Sequence, residues 1–134
     1  MSKMIFVNLP AKDIAAATRF YEAIGCVKNE QFSDHQTANM VWSEAIFLHL
    51  MTPAYFATFT SKPLADAHAA TGMLLALTLD SREAVDAIVE AAGANGGKAD
   101  PTPAKDIGWM YNRTFEDPDG HVFEAVWADM AAMG

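Results

Sequence analysis

The chain has 134 residues, the size of one ordinary domain, and 51% of them are hydrophobic against 19% charged, so it can bury a core and is not a disordered segment. Its formal net charge is −8 with no basic stripe, which excludes the phosphate neutralisation that nucleic-acid binding depends on. No apolar run approaches the roughly 18 residues a membrane span needs, so no membrane partner is expected.

In chain order, Phe6-Val7-Asn8-Leu9 reads as a strand. Asp13 then caps a helix through Ile14, Ala17, Phe20, Tyr21 and Ile24, which ends at Gly25; the spacing of three and four is helical. The lone cysteine, Cys26, rules out an intrachain disulfide, fits a reducing compartment and reads as a buried structural thiol. Strand-like stretches follow at 27–32, 37–43 and 45–51. Residues 53–71 form a connector with a short helical turn expected after Pro63.

An offset of 68 then repeats the pattern: strand 74–77, cap Ser81, and a helix through Val85, Ile88, Val89 and Ala92, ending at Gly93. Strands at 97–99, 109–115 and 121–127 complete the second copy, with a loop at 100–108 containing Pro101 and Pro103. The expected fold is α+β, with two βαβββ modules at 3–52 and 73–128 in a single domain. They would form a curved mixed sheet with helices on its outer face. The N-terminal apolar run is too short for a signal peptide, so a cytoplasmic location is expected.

Alternation along the strands separates two faces. Val7, Leu9, Leu48, Leu50, Leu75, Leu77, Phe123 and Ala125 should pack beneath the helices. The opposite face should carry Phe6, Asn8, His49, Met51, Leu74, Thr78 and Glu124, an apolar surface with a few polar groups, as small-molecule sites have. A carboxylate among Val, Phe and Leu side chains is suited to move a proton or to hold a cation, so Glu124 and His49 are the candidate catalytic or ligating pair. Asn8 could orient a substrate carbonyl. Trp42 and Trp109, with Met40, Met51, Met73 and Met110, read as an adaptable apolar wall, or as core. Arg113 reads either as a clamp for a carboxylate substrate or as a surface cation paired with an acid. Asp117 and Asp119 look like a metal pair but suit a turn better, with His121 beside it; His35 and His68 fall in loops.

The chain resembles the vicinal-oxygen-chelate superfamily of glyoxalases, extradiol dioxygenases, fosfomycin-resistance enzymes and bleomycin-binding proteins, and within it the predicted lactoylglutathione lyases. The resemblance covers nearly the whole chain. It lies in Val7-Asn8-Leu9-Pro10, Phe20-Tyr21-Glu22-Ala23-Ile24-Gly25, Ser81-Arg82-Glu83-Ala84-Val85-Asp86 and Phe115-Glu116-Asp117-Pro118-Asp119-Gly120-His121 leading to Glu124. It implies a divalent metal (nickel, zinc, cobalt or manganese) at four positions, here Phe6, His49, Leu74 and Glu124. Phe6 and Leu74 have no donor atoms, whereas a divalent ion usually takes roughly three or more protein ligands. The implied metal site is therefore degenerate, and the metal is absent or held by His49 and Glu124. Two functions follow from the resemblance. One is a lyase or isomerase acting on a small oxygenated substrate such as an α-oxo-aldehyde adduct. The other is a metal-free protein that binds a small molecule, as bleomycin-resistance proteins do. Fosfomycin-type thiol transfer lacks its cation loop and its metal ligands here. The resemblance also implies a homodimer.

Overall fold

The computed structural model of the chain describes residues 3–133. They divide into two compact units between Asp66 and Ala67, and each unit has its own mixed sheet. Among the described residues no helix is long and apolar enough to cross a membrane.

In the first unit β1 (Ile5–Pro10) leads through α1 (Ile14–Ala23) to β2 (Val27–Asn29), β3 (Thr37–Val41) and β4 (Ile46–Met51). The sheet order is β1-β4-β3-β2, with β1 parallel to β4 and the other pairs antiparallel. Asp13 caps α1 by accepting the Ala16 N–H at 3.0 Å, which satisfies a donor the first turn leaves without a helical partner. At the other end Gly25 adopts φ +113°, and Gly25 and Cys26 donate their N–H groups to the Glu22 and Tyr21 carbonyls. That is the Schellman ending, which a residue with a Cβ closes only with strain. Ala17, Phe20 and Tyr21 face the sheet and meet a core of Leu9, Met40, Leu48 and Leu50. Burying each large apolar side chain stabilises by about 1.5–3 kcal/mol.

Two expectations shift here. The stretch 27–32 is a strand only to Asn29, whose side chain accepts the Gln31 N–H at 3.1 Å and turns the chain into a 3₁₀ turn at Glu30–Phe32. The helical turn expected after Pro63 lies before it, as α2 (Pro53–Phe56) and a 3₁₀ turn at Ala57–Phe59. Thr52 caps α2 through the Tyr55 N–H at 3.3 Å, and Pro53 occupies the first turn, where its missing N–H is no loss.

The second unit repeats the order with β5 (Leu75–Thr78), α3 (Arg82–Ala94), β6 (Lys98–Ala99), β8 (Met110–Glu116) and β9 (Val122–Ala128), and the short α4 (Met130–Met133) follows. Its sheet runs β5-β9-β8-β6, with β5 parallel to β9. An added strand, β7 (Lys105–Asp106), lies within the expected loop and also pairs with β8. Arg82 holds it. Its Nη1 and Nη2 donate to the two Asp106 carboxylate oxygens at 2.8 and 3.0 Å, and Nη2 donates to the Gly108 carbonyl at 2.7 Å. The guanidinium lies over the Tyr111 and Trp127 rings, 5.2 and 5.0 Å from their centroids.

Ser81 caps α3 as expected, through the Ala84 N–H at 3.0 Å. The end of α3 is a correction. Gly93 lies inside the helix, and the left-handed ending belongs to Gly96 at φ +97°, with the Gly97 N–H donated to the Ala92 carbonyl. Gly93 serves close packing instead: a Cβ there would sit 3.1 Å from the Ala99 Cβ. Between β8 and β9, Asp117 Oδ1 accepts the N–H groups of Asp119 and His121, both at 2.9 Å, so Asp117 is a turn residue. Gly120 takes φ +90° in that turn and lies against the 67–68 backbone.

Candidate functional site

His49 on β4 is the centre of the first unit's polar cluster. Asn8 stands opposite it in the β1–β4 register and Asn39 opposite it in the β3–β4 register. Directly paired residues project to one side of a pleated sheet, so the three share the face turned away from α1. Asn39 is 1% exposed and its Nδ2 lies 2.9 Å from His49 Nδ1. With the amide donating, the ring accepts at Nδ1 and carries its proton on Nε2. Burial holds the His49 pKa below its ordinary value, and the negative charge of Asp34 partly opposes that. Asn39 Oδ1 is buried and has no hydrogen-bond partner among the described residues.

A cleft of about 400 Å³ opens over His49 and Asn39. Its aromatic walls are Phe6, Phe32 and Tyr55. Phe6 is 46% exposed and stacks on Phe47 at 4.4 Å with a 10° interplanar angle. Tyr55, brought in by α2, is held edge-on by Phe59 at 5.2 Å. The remaining wall is the 29–37 segment. Ser33 Oγ donates to the Asn29 carbonyl at 2.7 Å and accepts the Asn39 N–H at 3.0 Å. Asp34 Oδ1 accepts the Gln36 N–H at 2.8 Å and the Thr37 hydroxyl at 3.1 Å. The Gln36 N–H holds the Asp34 carboxyl below the usual range, assisted by Thr37.

In the second unit Glu124 on β9 accepts a hydrogen bond from Asn112 Nδ2 at 3.0 Å. Asn112 is buried, as is Thr114, which lies opposite Glu124 in the β8–β9 register. Ala76 flanks Glu124 from β5, and Thr78 and Leu74 are exposed at that edge strand. The carboxylate is thus oriented by one fixed amide donor and remains partly open.

Four of the expected binding residues have their main contacts outside the cleft. Arg113 lies opposite Ala125, on the side of the sheet that packs on α3, and it pairs with Asp86, Glu90 and Asp100 at 2.9, 2.8 and 2.6 Å. It is a structural cation and does not face Glu124. Trp109 precedes β8 in step with Tyr111 and Arg113. Trp42 follows β3 in step with the buried Ala38 and Met40 and reaches the Gly25 ending of α1. Met51 shares a face with His49, is 4% exposed and is not among the residues that line the cleft. Sequence reasoning also missed Asn39, Asn112, Asp34, Phe32 and Tyr55. The hairpin turn around Glu44 sets Asn39 opposite His49, and Thr52-Pro53 marks the helix that brings Tyr55.

Of the four positions where the resemblance implies metal ligands, Phe6 and Leu74 offer only hydrocarbon, and His49 Nδ1 is engaged by Asn39. Among the described residues no three His, Cys, Asp or Glu side chains are grouped to hold an ion. This donor set does not fit a resident divalent metal.

The model of one family, the Glyoxalase/Bleomycin resistance protein/Dioxygenase superfamily, matches residues 3–125. No curated protein matches the sequence. Among solved structures, the hypothetical protein SA1046 from S. aureus is similar with a TM-score of 0.79 at 20% identity, over 96% of this chain and 95% of that one. A glyoxalase/bleomycin resistance protein/dioxygenase family enzyme from Burkholderia phytofirmans PsJN gives 0.75 at 21% identity, over 95% and 99%. TnmS3, an antibiotic binding protein from Streptomyces sp. CB03234, gives 0.63 at 22% identity, over 96% and 97%. Such likenesses establish the fold and leave the chemistry open. The βαβββ repeat and the family match together place the chain in the glyoxalase/bleomycin resistance protein/dioxygenase superfamily.

Proposed function

We propose that the protein binds a small planar molecule without a metal, and that the His49 cleft is the site. The observation that carries this is the cleft itself: aromatic walls around a buried Asn39–His49 pair, the few-polar-groups-in-an-apolar-pocket pattern of ligand sites. The fold likeness to the antibiotic-binding TnmS3 agrees with it. A homodimer belongs to the proposal, because β1 is an edge strand on which Ile5 is exposed.

A second reading keeps one observation in its favour. Asn112 fixes the Glu124 carboxylate, as a lyase or isomerase would need for a proton-moving base. The two readings separate in one thermal-melt experiment. Chelator-stripped protein is titrated with nickel, zinc, cobalt and manganese, and separately with a panel of planar aromatic compounds. A ligand of the folded state raises Tm by mass action. The binding reading expects rises with members of the aromatic panel that Phe6→Ala abolishes. A metal-specific rise that Glu124→Ala abolishes would overturn it in favour of the lyase.

A further inference from the structure

We infer that the His49 cleft selects planar organic cations bearing N–H donors, of the amidinium or protonated amino-heteroaromatic class. The inference rests on the reading of this cleft as the ligand site and adds what the ligand must carry.

Charge is the first argument. Asp34 lines the cleft, and no lysine or arginine is among the described residues that do. His49 is neutral when Asn39 donates to its Nδ1. The pocket therefore presents one negative charge, held in place by Gln36 and Thr37. The aromatic walls act in the same direction. Ring faces are the negative part of the quadrupole and attract a cation lying over them. Phe6 has one face against Phe47 and is half exposed, so its other face is available to a ligand. Asn39 supplies a buried carbonyl oxygen without a partner among the described residues. A buried acceptor left unpaired is costly, and a ligand N–H that reaches it removes that cost. An anion would meet the Asp34 carboxylate and the ring faces, with no lysine or arginine among the described lining residues to offset them.

Benzamidine, benzamide and benzoate have nearly the same shape and differ in charge, so they isolate the claim. Their binding to the full-length, isotope-labelled protein is followed through the His49 ring and Asn39 side-chain resonances. Benzamidine is expected to bind about tenfold more tightly than benzamide, with benzoate weakest. Asp34→Asn should bring benzamidine close to benzamide, and Phe32→Leu should weaken benzamidine more than benzamide. Both positions are exposed, so neither change should unfold the protein. If benzamide or benzoate perturbs the same resonances as strongly as benzamidine, the cleft remains a ligand site and cation selectivity is overturned. Selectivity that survives Asp34→Asn also overturns it. If none of the three perturbs His49 or Asn39, this inference and the proposed binding site fall together.

Discussion

Arg113→Met would remove the guanidinium that ties α3 and the 100–108 segment to β8 and keep most of the apolar stem. Arg113 Nη1 reaches Asp86 at 2.9 Å, Nη2 reaches Glu90 at 2.8 Å, and Nε and Nη2 reach Asp100 at 3.0 and 2.6 Å. The arginine side chain is 13% exposed, but its partners are 50, 70 and 40% exposed, so solvent screens each pair. Exposed pairs contribute about 0.2–1 kcal/mol, and three on one ordered arginine come to about 2 kcal/mol. That corresponds to a fall in Tm of roughly 6 °C for a chain of this size.

The pH dependence gives a second, independent reading of the same contact. Asp86 is held below its ordinary value by the Tyr111 hydroxyl and then by Arg113, and Asp100 by Arg113. A carboxylate with a depressed folded pKa stabilises fully above its unfolded value of about 3.9 and loses that contribution as pH falls through the folded value. Urea unfolding at pH 7 and at pH 2.5 should therefore show the wild-type advantage shrinking at the lower pH. A difference under about 0.5 kcal/mol at pH 7 would refute the accounting. So would a difference that is the same at both pH values, since it would then come from packing.

Gly120→Ala should destabilise by at least about 2 kcal/mol in chemical denaturation, because φ is +90° and the new Cβ would meet the His68 nitrogen at 2.7 Å. Gly72→Ala, with nothing within 4 Å, is the neutral control. Burial pushes the Cys26 thiol up to about 12, so a disulfide reagent at pH 8 should label it only after unfolding. In NMR titration the His49 ring should change charge below the ordinary histidine value, and Asp34→Asn should move the midpoint lower still, since Asp34 now raises it. With a depressed folded pKa, His49 binds fewer protons folded than unfolded, so its contribution to stability declines as pH falls below about 6.5.

What was legible in the sequence was local chemistry. Asp13 and Ser81 announced two helix starts, because a side-chain oxygen three residues before an N–H needs no long-range information. Helix ends were less legible. Gly25 and Gly93 match in spacing, yet only Gly25 has the left-handed backbone, since Gly93 is demanded by its contact with Ala99, a residue on another element. β7 was hidden for a similar reason: two residues beside Pro101 and Pro103 carry no strand signal, and Arg82 supplies the anchor from 24 positions away. The alternation of Trp109, Tyr111 and Arg113 was visible, but their side of the sheet depends on register. The Asp117–Gly120 turn sets Glu116 against Val122, and counting back from there puts Arg113 with Ala125, beneath α3. Asn39 follows from the β3–β4 register in the same way.

The alternation of the strands divides the labour of the chain between two sets of residues. Leu9, Leu48, Leu50, Phe123 and Ala125 face the helices and are buried, whereas Phe6 and Asn8 on β1, Ala76 and Thr78 on β5, and Leu74 just before β5 are exposed. Changes at exposed positions away from caps and turns usually move stability by no more than about 0.5 kcal/mol. A lineage carrying this fold can therefore exchange those residues one at a time without first acquiring compensating changes in the core. The same separation makes these positions suitable for a randomised library, in which most members would still fold.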